Sequence, residues 1–183
     1  MRIHKTRIPG AHLIEREPFT DERGSFARMF CKRELEEAGL CADIAQVNLS
    51  TNYKKGALRG LHTQKGDYAE DKIVTCFKGS IYDVCVDLRN GSPTYLEWVG
   101  ETLSVENGLA LYIPKGCAHG YLSLTDDTMV LYFVTQFYAS GAEAGYRFDD
   151  PAFGVAWPLP GPYIMSDKDS SWAYVSQRLN EHD

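Results

Sequence analysis

No run in this 183-residue chain approaches the ~20 consecutive apolar residues that a membrane-spanning helix requires, and Met1-Arg2-Ile3-His4-Lys5 begins without the apolar core of a signal peptide. We therefore expect no membrane partner and a cytoplasmic location. The five cysteines (Cys31, Cys41, Cys76, Cys85 and Cys117) include no C-x-x-C pair. An odd count without such a pair argues against a disulfide framework or a zinc knuckle, and leaves buried free thiols as the expectation. Excess positive charge is missing as well. A net charge of −6 gives no general attraction to nucleic acid, so basic groups would bind phosphate only locally, inside a cleft. No repeat, low-complexity stretch or linker divides the chain, and residues 1–183 read as one domain. With 44% hydrophobic residues, and its eight prolines and sixteen glycines scattered along the chain, it has the composition of a folded domain rather than of a disordered one.

What is present is mostly strand pattern. A short strand is expected at His12-Leu13-Ile14, and the turn Asp21-Glu22-Arg23-Gly24 leads into Ser25 to Phe30. Lys32 to Ala38, rich in helix formers and closed by Gly39, predicts one short helix. Its Arg33, Glu34, Glu36 and Glu37 read as a solvated face. Runs with period-two character then recur between turn signals at 44–50, 57–64, 72–77, 80–88, 95–103, 109–113, 118–124 and 128–138. Many short strands at this spacing predict an all-β barrel or sandwich. Residues 139–183 read as irregular wrapping that ends in a weak helix near 171–180.

Alternation assigns faces. Gln46, Asn48 and Ser50 oppose Val47 and Leu49; Ile81, Asp83, Cys85 and Asp87 oppose Tyr82, Val84, Val86 and Leu88; and Tyr132, Val134, Gln136 and Tyr138 oppose Leu131, Phe133, Thr135 and Phe137. This pattern fits either a two-layer sheet with one solvated face or a barrel with a polar lumen. The most chemically loaded stretch is Gly56 to Gln64, followed by Lys72. A histidine with an ordinary pKa of ~6.5 can accept a proton near neutral pH, and Arg59 and Lys72 can carry anionic charge. Arg59 and His62 have opposite parity, so both reach one lumen only if Gly60 supplies a bulge or twist.

Two spacings favour the lumen. Gly56 is followed after five residues by His62 and then Gln64, and Gly108 after five by Pro114, then Gly116 and His119. This resembles the paired motifs of the cupin superfamily. Gln64 stands where a metal-binding cupin has a second histidine, and Ser123 where cupins often have asparagine. A metal site needs about three histidines and a carboxylate, and only His62 and His119 remain, so no metal is expected.

A closer resemblance spans most of the chain. Asp21-x-Arg23-Gly24-x-Phe26, Gln46-x-Asn48-x-Ser50, Arg59-Gly60-Leu61-His62-x-Gln64, Asp83 to Thr94, Ile113 to Gly120 and Ser166-x-Lys168-Asp169 occur together and in order. They resemble the dTDP-4-dehydrorhamnose 3,5-epimerase family. The resemblance implies a cofactor-free jelly-roll cupin, a homodimer, that inverts carbons flanking the ketone of a nucleotide-linked 4-keto-6-deoxyhexose in deoxysugar and surface polysaccharide synthesis. Removing a proton beside a ketone needs a base in contact and a cation on the enolate oxygen, roles that suit His62 and Lys72. The resemblance adds Asp169 to orient His62, Tyr132 to return the proton from the opposite face, and Tyr138 to stack on the nucleotide base. It assigns Arg23, Arg59, Lys168, Gln46, Asn48, His119 and Glu143 to binding the nucleotide sugar. A binding module that does not turn the sugar over is the competing reading. Asp83 and Asp87 stay open between a role in the lumen and simply bracing an arginine, and the cysteines receive no chemistry.

One position departs from the resemblance. After Arg23-Gly24-x-Phe26 the family typically places a glutamate that helps hold the thymidine nucleotide, and here Arg28 stands in its place. A guanidinium only donates hydrogen bonds. Either the base offers acceptor edges, as guanine and cytosine do, or Arg28 points to solvent or adds a contact to diphosphate.

Overall fold

The computed structural model describes residues 1–179. Its first strands are β1 (Arg2–Lys5) and β2 (His12–Glu15), then the hairpin β3 (Phe19–Asp21) and β4 (Gly24–Phe26), then the helix α1 (Lys32–Glu37). Eight strands follow: β5 (Gln46–Asn52), β6 (Leu58–Gln64), β7 (Lys72–Lys78), β8 (Ser80–Asp87), β9 (Trp98–Ser104), β10 (Leu109–Ile113), β11 (Cys117–Ser123) and β12 (Thr128–Val134). β13 (Glu143–Gly145), α2 (Asp167–Ser170) and α3 (Val175–Leu179) complete the described chain.

The strands form a six-stranded sheet in the order β1-β2-β10-β7-β12-β5 and a five-stranded sheet in the order β13-β6-β11-β8-β9, with every pairing antiparallel. Between them lies a core in which Val74, Cys76, Leu111 and Val130 of the first sheet meet Ile81, Cys85, Leu103, Cys117 and Tyr121 of the second. This is an all-β jelly roll of cupin type. The outer faces are covered rather than bare. α1 and the segment after it lay Leu35, Leu40 and Ala42 against Ile14, Ile73, Ala110 and Tyr112, and Phe30 stacks on Phe133. On the other sheet, Tyr146, Phe153 and Val175 cover Leu61, Val84, Val86 and Ala118. The period-two pattern of β8 therefore marks a polar lumen on one side and an apolar, covered face on the other; a solvated outer face is not its cause.

Several expectations change at the ends of elements. β12 stops at Val134 although alternation continues to residue 138: one step past the Val134–Lys72 pair, Thr135 still donates its N–H to the Asp71 carbonyl, but its hydroxyl takes the Asp71 N–H in place of the return backbone bond. Tyr138 therefore does not share a strand face with Tyr132. The stretch after Phe26 is not strand. Residues 139–179 are more ordered than irregular wrapping: β13 pairs with β6, and α2 was not anticipated. The weak helix is α3, and residue 180 of its expected range lies outside the described residues. All five cysteines are free, but only Cys76, Cys85 and Cys117 are buried; Cys41 is exposed. Among the described residues no helix is long and apolar enough to cross a membrane.

Candidate active site

The lumen opens at one end into a cavity of about 290 Å³ walled by both sheets. β6 supplies Arg59 and His62 from one sheet. Their joint presence requires the bulge: Arg59 pairs with Tyr121 and His62 with His119, so three steps along β6 match two along β11. Gly60 makes this possible. Its φ is +115°, and a Cβ there would lie 2.6 Å from the Gly120 Cα.

His62 Nε2 is 2.6 Å from Asp169 Oδ1, and the second oxygen of that carboxylate accepts the Gly60 N–H at 3.3 Å. The carboxylate is itself held in place. Ser166 caps α2 by accepting the Asp169 N–H at 3.1 Å, which brings a side chain 107 residues distant in sequence onto His62. Burial would raise the Asp169 carboxyl, but hydrogen bonding and charge from His62 outweigh it and leave it below the ordinary value. Trp172 meets the His62 ring edge-on at 6.5 Å.

Tyr132 stands on β12, in the facing sheet, and packs edge-on against His119 with ring centres 5.8 Å apart. Burial pushes its phenol well above the usual range, with Tyr121 adding to the rise and Arg59 opposing it. It is a phenol that keeps its proton. His119 Nε2 in turn lies 2.7 Å from Asp83 Oδ1 at the bottom of the lumen. Asp83 is raised by burial, which the His119 contact only partly offsets, and its Oδ2 is buried without a partner. The Arg59 guanidinium donates to Asn52 at 2.8 Å; Asn52 also donates to the Tyr121 hydroxyl at 3.0 Å, and that hydroxyl lies 2.9 Å from Ser50.

The rim is polar and aromatic. Gln46 accepts the Tyr138 backbone N–H at 2.8 Å, and the Tyr138 hydroxyl donates to Glu143 at 3.1 Å. Lys168 pairs with the same Glu143 carboxylate and lies 5.7 Å from the centre of the Trp172 ring. Burial raises the Glu143 carboxyl, but Lys168 and Tyr138 more than reverse that.

Of the thirteen residues picked from the sequence, nine line the cavity: Gln46, Asn48, Arg59, His62, Lys72, His119, Tyr132, Tyr138 and Asp169. Glu143 and Lys168 join it at the rim through Tyr138. Arg23 and Arg28 do not reach it within one chain. Arg23 is at the tip of the β3/β4 hairpin, 88% exposed and paired with Asp21 at 2.5 Å, while Arg28 pairs with Glu34 at 2.5 Å beside α1. Sequence reading placed Ser50 on one face with Gln46 and Asn48 without choosing it, and missed Glu70 and Tyr121. Tyr121 lies two positions from His119 within the expected strand 118–124, so alternation could have found it, whereas Glu70 precedes the expected strand 72–77. Among the described residues no three His, Cys, Asp or Glu side chains are grouped to hold a metal ion.

A carboxylate-braced imidazole on one sheet and a proton-bearing phenol on the other line one cavity, together with the cations Arg59 and Lys72. Set in a jelly roll, this arrangement defines a cupin-type epimerase. Residues 5–177 match the family model of dTDP-4-dehydrorhamnose 3,5-epimerase, and the chain belongs to that family. The dTDP-4-dehydrorhamnose 3,5-epimerase of Methanothermobacter thermautotrophicus is 43% identical over 93% of this chain and 92% of its own length. The crystal structure of the enzyme from Elizabethkingia anophelis superposes with a TM-score of 0.93 at 36% identity, covering 97% of this chain and 98% of that one. The dTDP-6-deoxy-D-glucose-3,5-epimerase of Legionella pneumophila, solved with dTDP-4-keto-L-rhamnose, gives a TM-score of 0.91 at 36% identity, covering 96% and 93%.

Proposed function

We propose that this chain inverts C-3 and C-5 of a dTDP-linked 4-keto-6-deoxyhexose without a cofactor, for deoxysugar and surface polysaccharide synthesis. The observation that carries the proposal is the opposition of the His62–Asp169 pair on one wall to Tyr132 on the other. His62 removes the proton beside the ketone, and Asp169 holds the ring and balances the imidazolium. Lys72 meets the charge that develops on the enolate oxygen. Tyr132 returns a proton to the opposite face, which inverts the carbon. A non-catalytic binding cupin would have no need for an acid and a base on facing walls.

Nucleotide binding is assigned to the rim. Tyr138 stacks on the base; Arg59, Lys168, Gln46, Asn48, His119 and Glu143 hold sugar and diphosphate. Arg23 serves a second copy of the chain. Its hairpin displays Phe19 and Phe26 at 70% and 77% exposure, and the edge strand β5 displays Val47 and Leu49 at 54% and 55%. Apolar groups on an edge strand and a projecting hairpin suit a homodimer in which each hairpin closes the partner's cavity. We place the protein in the cytoplasm, where its free thiols stay reduced. Arg28, engaged by Glu34, is left out of base recognition, and thymine is taken as the base.

The test is solvent deuterium exchange into a dTDP-4-keto-6-deoxyhexose, followed separately at C-3 and C-5. Exchange at both carbons with inversion supports the proposal, and no exchange at either rejects it. Calorimetry with dTDP, GDP, CDP and UDP, repeated on Arg28→Glu, checks the nucleotide: preference for dTDP in both proteins is expected.

A further inference from the structure

Glu70 lines the cavity, and its Oε1 lies 3.0 Å from the Lys72 ammonium; the two side chains are only 9% and 13% exposed. The pair is built by the backbone. Residues 70 and 72 flank Asp71, whose N–H donates to the Thr135 hydroxyl at 2.8 Å, whose carbonyl accepts the Thr135 N–H at 3.1 Å, and whose carboxylate accepts the Lys115 N–H at 3.1 Å. With Asp71 anchored outward, extended chain sends residues 70 and 72 to the same side. From this geometry we infer that Glu70 is the positioning residue for Lys72, holding its ammonium where the enolate oxygen forms.

The inference rests on the assignment of Lys72 to the enolate, and its physical basis is the shortage of water around the pair. A largely buried ammonium needs a partner before substrate arrives, and the alternative to Glu70 is the Asp83 carboxyl on β8, which feels the Lys72 charge and whose Oδ2 has no partner. Release toward Asp83 would draw Lys72 off the reacting oxygen. Glu70 keeps it close by, and the charge that develops on the enolate then shares the ammonium with Glu70. An interaction strengthened only as that charge develops acts on kcat rather than on KM.

Four proteins test this: wild type, Glu70→Gln, Lys72→Ala and the double variant, each checked for unchanged thermal unfolding. Glu70→Gln is expected to lower kcat about tenfold to 100-fold with KM within about twofold, and Glu70→Asp to recover part of the loss. The double variant should be no slower than Lys72→Ala, because Glu70 acts through the lysine. Multiplying losses in the double variant, or a Glu70→Gln kcat within threefold of wild type, would overturn the inference. A Lys72→Ala enzyme of near-normal rate would instead overturn the enolate assignment on which it rests.

Discussion

At the scale of single residues, the proposed acid Tyr132 and the proposed base His62 are separable because they stand on different sheets. On that proposal His62→Asn removes the base, and exchange at both positions should fall by roughly 100-fold to 10,000-fold. Retention of more than a tenth of wild-type turnover would show that another group takes the proton. Tyr132→Phe removes a hydroxyl whose proton burial holds in place, while the His62–Asp169 pair is untouched. Deuterium should then still wash into the sugar without net inversion, a result read by NMR of the recovered substrate. Equal loss of exchange and inversion would take the proton-donor role away from Tyr132.

At the scale of elements, the β6 bulge aligns the site. The Gly60 position lies 2.7 Å, by its would-be Cβ, from the His119 carbonyl oxygen as well as against Gly120, and both neighbours are backbone that cannot turn aside. Gly60→Ala should force β6 and β11 apart, at a cost of at least the ~1–3 kcal/mol typical of overpacking. It should also reduce turnover at temperatures where the variant is still folded, because Arg59 and His62 move relative to each other. Wild-type turnover in a folded Gly60→Ala protein would mean that the bulge tolerates the side chain. The opposite parity of Arg59 and His62 made the Gly60 irregularity legible in the sequence, and the β6/β11 register bears it out. The end of β12 was not legible there, since it is decided by Thr135 bonding to Asp71, 64 residues away.

At the scale of the whole molecule, two outcomes are expected. Asp87 is fully buried; burial would raise its carboxyl, but bonds from Arg89 at 2.8 Å, Ser92 at 2.6 Å and Thr94 at 2.7 Å hold it far below the ordinary range. A carboxyl depressed in the folded state binds fewer protons there than when unfolded. Its contribution is therefore complete above about pH 4, the ordinary aspartate value, and drains away as pH falls through the depressed one. Asp83, raised by burial, works in the opposite sense. Urea midpoints measured from pH 3 to 7 should fall below about pH 4, and Asp87→Asn should lower the neutral-pH midpoint while flattening that fall. The second outcome follows from the proposed dimer. Mixing His62→Asn with Arg23→Ala chains should restore activity that neither has alone, because one cavity of each hybrid keeps its own His62 and receives an intact Arg23. No recovery after subunit exchange would place Arg23 outside the partner's site.

The sequence by itself determined the all-β class and which side chains of β5, β8 and β12 share a face, because a strand's two-residue period is local. It also carried nine of the cavity's residues, since ordered motifs survive without knowledge of the fold. Tertiary structure decided what periodicity cannot encode. It brought Asp169 to His62 through a capped helix near the end of the described chain, covered both outer faces, and turned the Arg23 hairpin away from its own cavity. It also paired Glu70 with Lys72 and stopped β12 at Val134. Most of these depend on contacts between segments far apart in sequence, and the Glu70–Lys72 pair on the anchoring of Asp71 by Thr135 and Lys115, so no local pattern could announce them.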